Sequence, residues 1–480
     1  PVFAFADSEG QAKTFFVNSP SDLKERTEVS SILQKISEWG YFYLENEWYQ
    51  GLSQEQKEII NQSLEALAQE FDNNIYPRLT QEYGPVWTPG IDQDVRITIL
   101  FHQMKEGQVG YYRDDDEYPK LQSQKSNERE MVYLNVKSLF SPLSRAFLGH
   151  EFTHLISFNQ KERLRGVKEE TWLNEARAEY APTLLGYDDE YQNSNLQQRV
   201  RQFISSPQDS LTEWQNQESD YGSVNVFIHY FVDHYGFSVL SDSLRSSQMG
   251  INSINEALGQ KGIQKDFSQI FTDWTIAISL NDCSIKEDYC YQNKNLKNLR
   301  VSSSLIFLPS TQKTSVSLDY AVKPWSGNWY RIVGGQGDLK LVFEGDITVK
   351  FKIPYILCKE NNACQVDFLN LDTLKKGNIS FLDFGNNYSS FTLIPSAQSK
   401  FSGFDGKEPT SSFSIFVSIE NKAAEERLIA ELKAKIEILK LQIVQIQAKI
   451  AAIAEKGLVC SKFINNLYYG LKGQEIRCLQ

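Results

Sequence analysis

148-LGHEFTHLISFN-159 and, after a short charged interlude, 171-TWLNEARAEY-180 are the two stretches on which the reading of this chain turns. His150 and His154 stand four residues apart with Glu151 beside the first. On a helix, residues i and i+4 lie one turn apart on the same face, so both imidazoles reach one metal ion. Glu151, one residue round, then sits beside the remaining metal position and can take a proton from water there. Phe147, Leu148, Phe152, Leu155 and Ile156 give the segment a helix-compatible apolar context. Five histidines in 480 residues make a chance H-E-x-x-H rare.

A hydrolytic zinc site takes three protein ligands and keeps one position open. Glu175, 21 residues after His154, supplies the third from a second helix, which gives a His2Glu set for Zn2+. Asn174 is its neighbour. Glu179, one turn after Glu175, is placed to accept the free N–H of a ligating histidine and fix its tautomer. The competing reading of Glu175 and Glu179 is two solvated helix carboxylates. Asp114, Asp115 and Asp116, with Glu117, read either as a Ca2+ loop of clustered oxygens or as a solvated acidic loop.

Length predicts two to four domains. A net charge of −12 argues against a nucleic-acid footprint. Six cysteines fall into three local pairs, Cys283 with Cys290, Cys358 with Cys364, and Cys460 with Cys478, and none forms C-x-x-C. Local disulfides imply an oxidising compartment and hence export; the alternative is six free thiols in a cytosolic protein. No run approaches the roughly 20 apolar residues that span a bilayer. Residues 1–6, ending Ala4-Phe5-Ala6, read as the tail of a cleaved signal peptide.

Working outward, the spacing of Leu23, Val29, Ile32, Leu33 and Ile36 predicts an amphipathic helix over 21–40. A strand is expected at 41–44, a helix from Ser53 to about Phe71, and a loop region from Pro77 to Gly90. Strands at 95–101 and 130–136 precede the metal motif, and six helical stretches follow it as far as Leu280. Residues 7–300 are expected to form the unit that carries the chemistry, with the role of 7–94 open. From 301 to 420, short alternating runs separated by turns predict a β-sandwich. From 421 to 456, Ile429, Leu432, Ile436, Leu439, Ile443, Ile446, Ile450 and Ile453 repeat in strict 3,4 spacing. This is a coiled-coil seam open to self-association, or one amphipathic helix laid on the sandwich. The predicted fold class is thus multi-domain α+β.

H-E-x-x-H followed by N-E-x-x-x-E resembles the gluzincin metallopeptidases, the thermolysin-like clan. SNEREMVYLN (126–135), LGHEFTHLISFNQK (148–161), YGSVNVFIHYFVDHYG (221–236) and FSQIFTDWTIAISLND (267–282) are similar to the hyicolysin-type bacterial enzymes. The resemblance implies a zincin-like domain whose second half is helical, and a zinc endopeptidase with Glu151 as base. The absence of Gly-x-Met-Glu-Asn disfavours exopeptidase action. No histidine follows in the context of thermolysin's oxyanion donor. The resemblance puts that role on Tyr221, which opens the helix after the third-ligand helix, with His229 and His234 as rivals. The last stretch, 466-NLYYGLKGQEIRCLQ-480, resembles the opening of a peptidoglycan-binding repeat through Gly470, Gly473, Ile476, Leu479 and Gln480. Residues 457–480 would be a truncated copy of it.

The expectation is an exported bacterial zinc endopeptidase of the cell surface or envelope, acting on protein or peptide substrates. Two alternatives stand beside it: a non-catalytic adhesion or scaffold protein built on a peptidase-like fold, and a hydrolase of peptide cross-links in the cell wall.

Overall fold

The computed structural model describes residues 6–309, 313–400, 402–407, 409–455, 468–470, 472 and 476. Strands β1 (Ala12–Phe16), β2 (Glu28–Ile36), β3 (Gly40–Glu45), β4 (Ile97–His102), β5 (Gly110–Tyr112) and β6 (Met131–Asn135) make one sheet in the order β1-β2-β3-β4-β6-β5. β3, β4 and β6 run parallel, β1 and β2 extend the sheet antiparallel on one side, and β5 closes the other side antiparallel to β6. The three parallel strands are buried at every position, which is why they read as continuous apolar runs. Their side chains alternate between two cores. Phe42, Leu44, Ile99, Phe101, Val132 and Leu134 point to the helical face, and Tyr41, Tyr43, Leu100, Met131 and Tyr133 to the other.

The helix predicted over 21–40 is instead a turn followed by β2. Val29, Ser31 and Leu33 face inward at strand period, and a bulge between Leu33 and Lys35 shifts the alternation. Residues 12–45 therefore contribute half of the sheet. The loop expected from Pro77 also begins later.

Helix α1 (Asn46–Gln50) follows β3, and α2 (Gln54–Glu70) runs through a π turn, Phe71–Ile75, into α3 (Tyr76–Tyr83). The π turn shifts the hydrogen-bond ladder just where Pro77 has no N–H to donate, so the helix passes through it. Ser53 caps α2 with a reciprocal bond from Gln56.

After the sheet come α4 (Ser144–Phe158), α5 (Thr171–Leu184), α6 (Asn195–Ser205), α7 (Glu218–Tyr235), α8 (Phe237–Leu244), α9 (Gly250–Gln260) and α10 (Phe267–Leu280). Leu148, Phe152, Leu155 and Ile156 of α4 pack into the core beneath the sheet. The remaining helices share a second core built on Trp172, Phe227, Phe271 and Trp274.

The β-rich part contains β7 (Glu213–Trp214), β8 (Ser304–Leu308), β9 (Lys313–Val322), β10 (Tyr330–Gly334), β11 (Gly337–Gly345), β12 (Phe351–Lys352) and β13 (Pro354–Cys358). It continues with β14 (Cys364–Phe368), β15 (Lys376–Phe384), β16 (Ser390–Leu393), β17 (Ser396–Ala397), β18 (Phe404–Asp405) and β19 (Ser411–Glu420). A five-stranded sheet, β14-β13-β16-β10-β8, and a four-stranded one, β15-β11-β19-β9, enclose one apolar core. This part is not merely tethered. Trp325 and Trp329 bury their rings in the helical core, Trp329 Nε1 donates to the Thr275 carbonyl at 2.9 Å, and β18 pairs with β7.

Helix α11 (Lys422–Glu455) leaves its Ile429-to-Ile453 seam exposed. Disulfides join Cys283 to Cys290 and Cys358 to Cys364. Cys460, Cys478, residues 1–5 and most of 457–480 lie outside the described residues. Among those described, no helix is long and apolar enough to cross a membrane. The chain is thus a mixed α+β, multi-part structure.

Candidate metal centre

The α4 helix carries His150, Glu151 and His154 into the floor of a cleft of about 580 Å3. Helix α5 brings Glu175 opposite them. His150 Nε2 lies 3.3 Å from His154 Nε2 and 3.2 Å from Glu175 Oε2, and His154 Nε2 lies 3.7 Å from Glu175 Oε1. The Glu175 carboxylate thus spans the two imidazole nitrogens, with one oxygen toward each ring. A four-coordinate ion with ligand bonds of about 2.0–2.1 Å requires ligand-to-ligand edges of about 3.3–3.4 Å. The edge between the two imidazole nitrogens, 3.3 Å, and the contact from His150 to Glu175 Oε2, 3.2 Å, match such an ion. Glu175 Oε2 is also buried without a hydrogen-bond donor in good geometry, as expected of an atom meant for a cation. His150, Glu151 and His154 are the one group of three potential ligands that converge among the described residues when each offers one atom.

Support comes from behind. Glu179, fully buried, faces His150 Nδ1 at 3.3 Å through Oε1. Arg199 grips the same carboxylate in two places, Nε to Oε2 at 2.8 Å and an Nη to Oε1 at 2.6 Å, while Asn195 and Asn225 donate to Oε2. Burial alone would raise the Glu179 pKa, but Arg199 and then His150 overcome it and hold the carboxyl ionised, well below the usual range. Asn174 stands beside His154; its Oδ1 and His154 Nδ1 are each buried with no other partner.

The two histidines respond in opposite directions. Burial depresses both, and it prevails at His154; at His150 the bonds to Glu175 and Glu179 outweigh it and raise the pKa to about 10. Burial lifts the Glu151 carboxyl to about 8 against the opposing pull of His150.

Tyr221, in the first turn of α7, lines the same cleft. Its hydroxyl donates to Asn216 Oδ1 at 2.7 Å, its ring meets Trp214 edge-on, and the Arg199 guanidinium lies 4.7 Å over it. Burial, then Glu175, raises its pKa, so the phenol stays a donor. The rivals are turned away. His229 is held between Thr183 and the Asn225 carbonyl, and His234 meets the Cys290 carbonyl.

The acidic loop does not converge. Asp114 pairs with Lys168 at 2.7 Å, Asp115 accepts from Ser123, and buried Asp116 accepts from Tyr133 and the Asn127 N–H. Among the described residues the side chains of Asp114, Asp115 and Asp116, expected as a Ca2+ loop, do not figure in a converging group of three ligands.

Edge strand β5 forms one wall, and it pairs only with β6 among the described strands. A Cβ added at Gly110 would stand 2.7 Å from Glu151 Oε1 and 2.9 Å from the Tyr133 carbonyl. Gly110→Ala is therefore expected to displace β5 against Glu151 and cost about 1–3 kcal/mol. Thermal denaturation and metal content should report lowered stability with the ion retained. Sequence reasoning did not reach Arg199, Asn195 or Asn225.

No protein-family model matches the chain, and no curated protein matches it. Solved structures similar to part of it include the pre-peptidase C-terminal domain of a collagenase from Bacillus anthracis, at 8% identity over 24% of this chain and 96% of that one, TM-score 0.16. Another is PliG of Aeromonas hydrophila, a periplasmic inhibitor of g-type lysozyme, at 14% identity, 25% and 100% coverage, TM-score 0.15. A third is CorA, a surface-associated copper-binding protein of Methylomicrobium album BG8, at 9% identity, 25% and 100% coverage, TM-score 0.16. Such likenesses, confined to a quarter of the chain, carry no argument about its site.

Proposed function

We propose that the chain is an exported zinc-dependent endopeptidase with a zincin-like domain of the gluzincin kind. The observation that carries this reading is the convergence of His150, Glu151 and His154 in an open cleft, with the Glu175 carboxylate set across the two imidazole nitrogens at 3.2 and 3.7 Å. Two nitrogens and one carboxylate are a donor set suited to zinc. Bound there, zinc supplies Lewis-acid polarisation of a carbonyl and acidifies water.

The chain's own residues do the rest. Glu151 takes the proton of the attacking water and returns it to the leaving amine nitrogen. Glu179 fixes the His150 ring through Nδ1, and Arg199 keeps that carboxylate charged. Tyr221, released from Asn216, donates to the oxyanion as the carbonyl becomes tetrahedral. The edge of β5, unpaired among the described strands, suits an extended peptide, whose main chain adds to the sheet and lies across the cleft. Two disulfides support export. The exposed seam of α11 supports self-association, and peptidoglycan binding would rest on 457–480.

Digestion of unfolded casein by the full-length protein tests the reading, with metal analysis and sequencing of the products. One zinc per chain, internal cleavage, loss with a chelator and recovery with added zinc are expected. His150→Ala should abolish both zinc and cleavage. Protein that carries no zinc and shows no chelator-sensitive cleavage would favour the scaffold reading.

A further inference from the structure

A second cluster of oxygens lies beyond the cleft wall. Glu117 ends the short 3-10 turn Asp114–Glu117 after β5, and Glu130 stands immediately before β6. Both are buried, at 3% and 2% exposure. Neither carboxylate oxygen of Glu117 has a donor, and Glu130 Oε2 has none. Glu130 Oε1 accepts from the Ile91 N–H at 2.8 Å. The two carboxyl groups face each other within hydrogen-bonding reach. The Tyr112 hydroxyl, also buried and without a partner, lies within the field of Glu117.

The charges around this pair compound the problem. Burial and then Glu130, Asp116 and Asp92 all drive the Glu117 carboxyl upward. Arg129 is engaged by Asp7 at 2.6 Å and by Asp92 at 3.6 Å, and Arg113 donates to the Lys125 carbonyl. Two facing carboxylates out of water need a shared proton or a shared cation. A single proton joins two oxygens and leaves the third free oxygen of the pair unanswered. A cation answers all of them.

Every donor here is oxygen, which selects a hard divalent ion of the calcium class over zinc. Main-chain carbonyls and water would complete the shell. Gly90 (φ +91°) fits the cradle, because a Cβ there would stand 1.9 Å from Glu130 Oε2. The main chain of the 84–94 loop thus presses directly on the carboxylate.

We propose that Glu117 and Glu130 hold a calcium-class cation that fastens the edge strand of the cleft to β6 and to the 84–94 loop. The edge strand so fastened carries Tyr112, whose ring stacks toward His154 with centroids 6.1 Å apart. This site is separate from the one formed by the histidines and does not depend on it.

Full-length protein stripped by chelator and reloaded with zinc alone is the material for the test. Calcium chloride is titrated by calorimetry, and melting is followed in parallel, with magnesium chloride as comparison. One calcium per chain is expected. The melting temperature should rise by roughly 5 °C at about a hundredfold excess over Kd. Glu117→Gln should lose the calcium response and keep its zinc. A wild-type melting temperature indifferent to calcium would overturn the site and assign the pair a shared proton. Calcium stabilisation that survives in Glu117→Gln would overturn it too. If that variant does not fold, the wild-type titration still decides.

Discussion

Glu151→Gln is expected to retain one zinc per chain and its fold while peptide hydrolysis falls by roughly a hundred- to ten-thousandfold. Glutamine keeps the shape of the side chain but cannot accept and then return a proton. The proposed ligands are His150, His154 and Glu175, so they are untouched. Stability separates this loss from a structural one. Glu151 is 5% exposed, and a buried carboxylate is costly to ionise. Burial already favours the uncharged carboxyl, which the neutral amide mimics, so the melting temperature should not fall. Zinc content, melting temperature and the rate of casein cleavage form the three readouts. Near-normal cleavage by the Gln variant would sink the proposed role of Glu151.

What could be read from the chain follows from how local each feature is. His150, Glu151 and His154 sit within one helical turn, and Glu175 and Glu179 within the next helix, so spacing alone suggests that they meet. Arg199, Asn195 and Asn225 come from α6 and α7, 16 to 46 residues beyond the carboxylate they hold. No periodicity ties such residues to Glu179; only the packing of α6 and α7 does so.

The misread helix over 21–40 has a similar origin. Val29, Ile32, Leu33 and Ile36 satisfy a helical period, whereas the strand period is masked by Ser31. That serine points inward, fully buried, and donates to the Lys13 carbonyl at 2.9 Å. An apolar residue there would have made the alternation visible. The partner strands β1 and β3, rather than local propensity, decide the outcome. Glu117 and Glu130 are likewise silent in sequence, because thirteen residues and an irregular loop separate them.

Arg199→Met carries the largest expected effect on stability. Arg199 is the strongest partner of a carboxylate that has no exposure to water, and it binds both oxygens. Methionine fills part of the space but leaves Glu179 charged with only two amides and the His150 ring around it. Breaking a buried pair by removing one partner costs about 3–5 kcal/mol, because the orphaned charge remains. The damage should extend to the metal. Glu179 orients His150, and loss of such support lowers metal affinity by about 10–100-fold. The guanidinium also lies over the Tyr221 ring, so that ring loses one of its supports.

A second substitution distinguishes charge from packing. Glu179→Gln in the Arg199→Met background removes the orphaned charge, while the amide oxygen can still accept from His150 Nδ1. The double variant should regain most of the stability, a coupling that independent sites would not show. Chemical denaturation of the four proteins, wild type, both singles and the double, measures that coupling. Unchanged stability in Arg199→Met would mean that Glu179 is neutralised by another route, and the assignment of Arg199 as its keeper would fall.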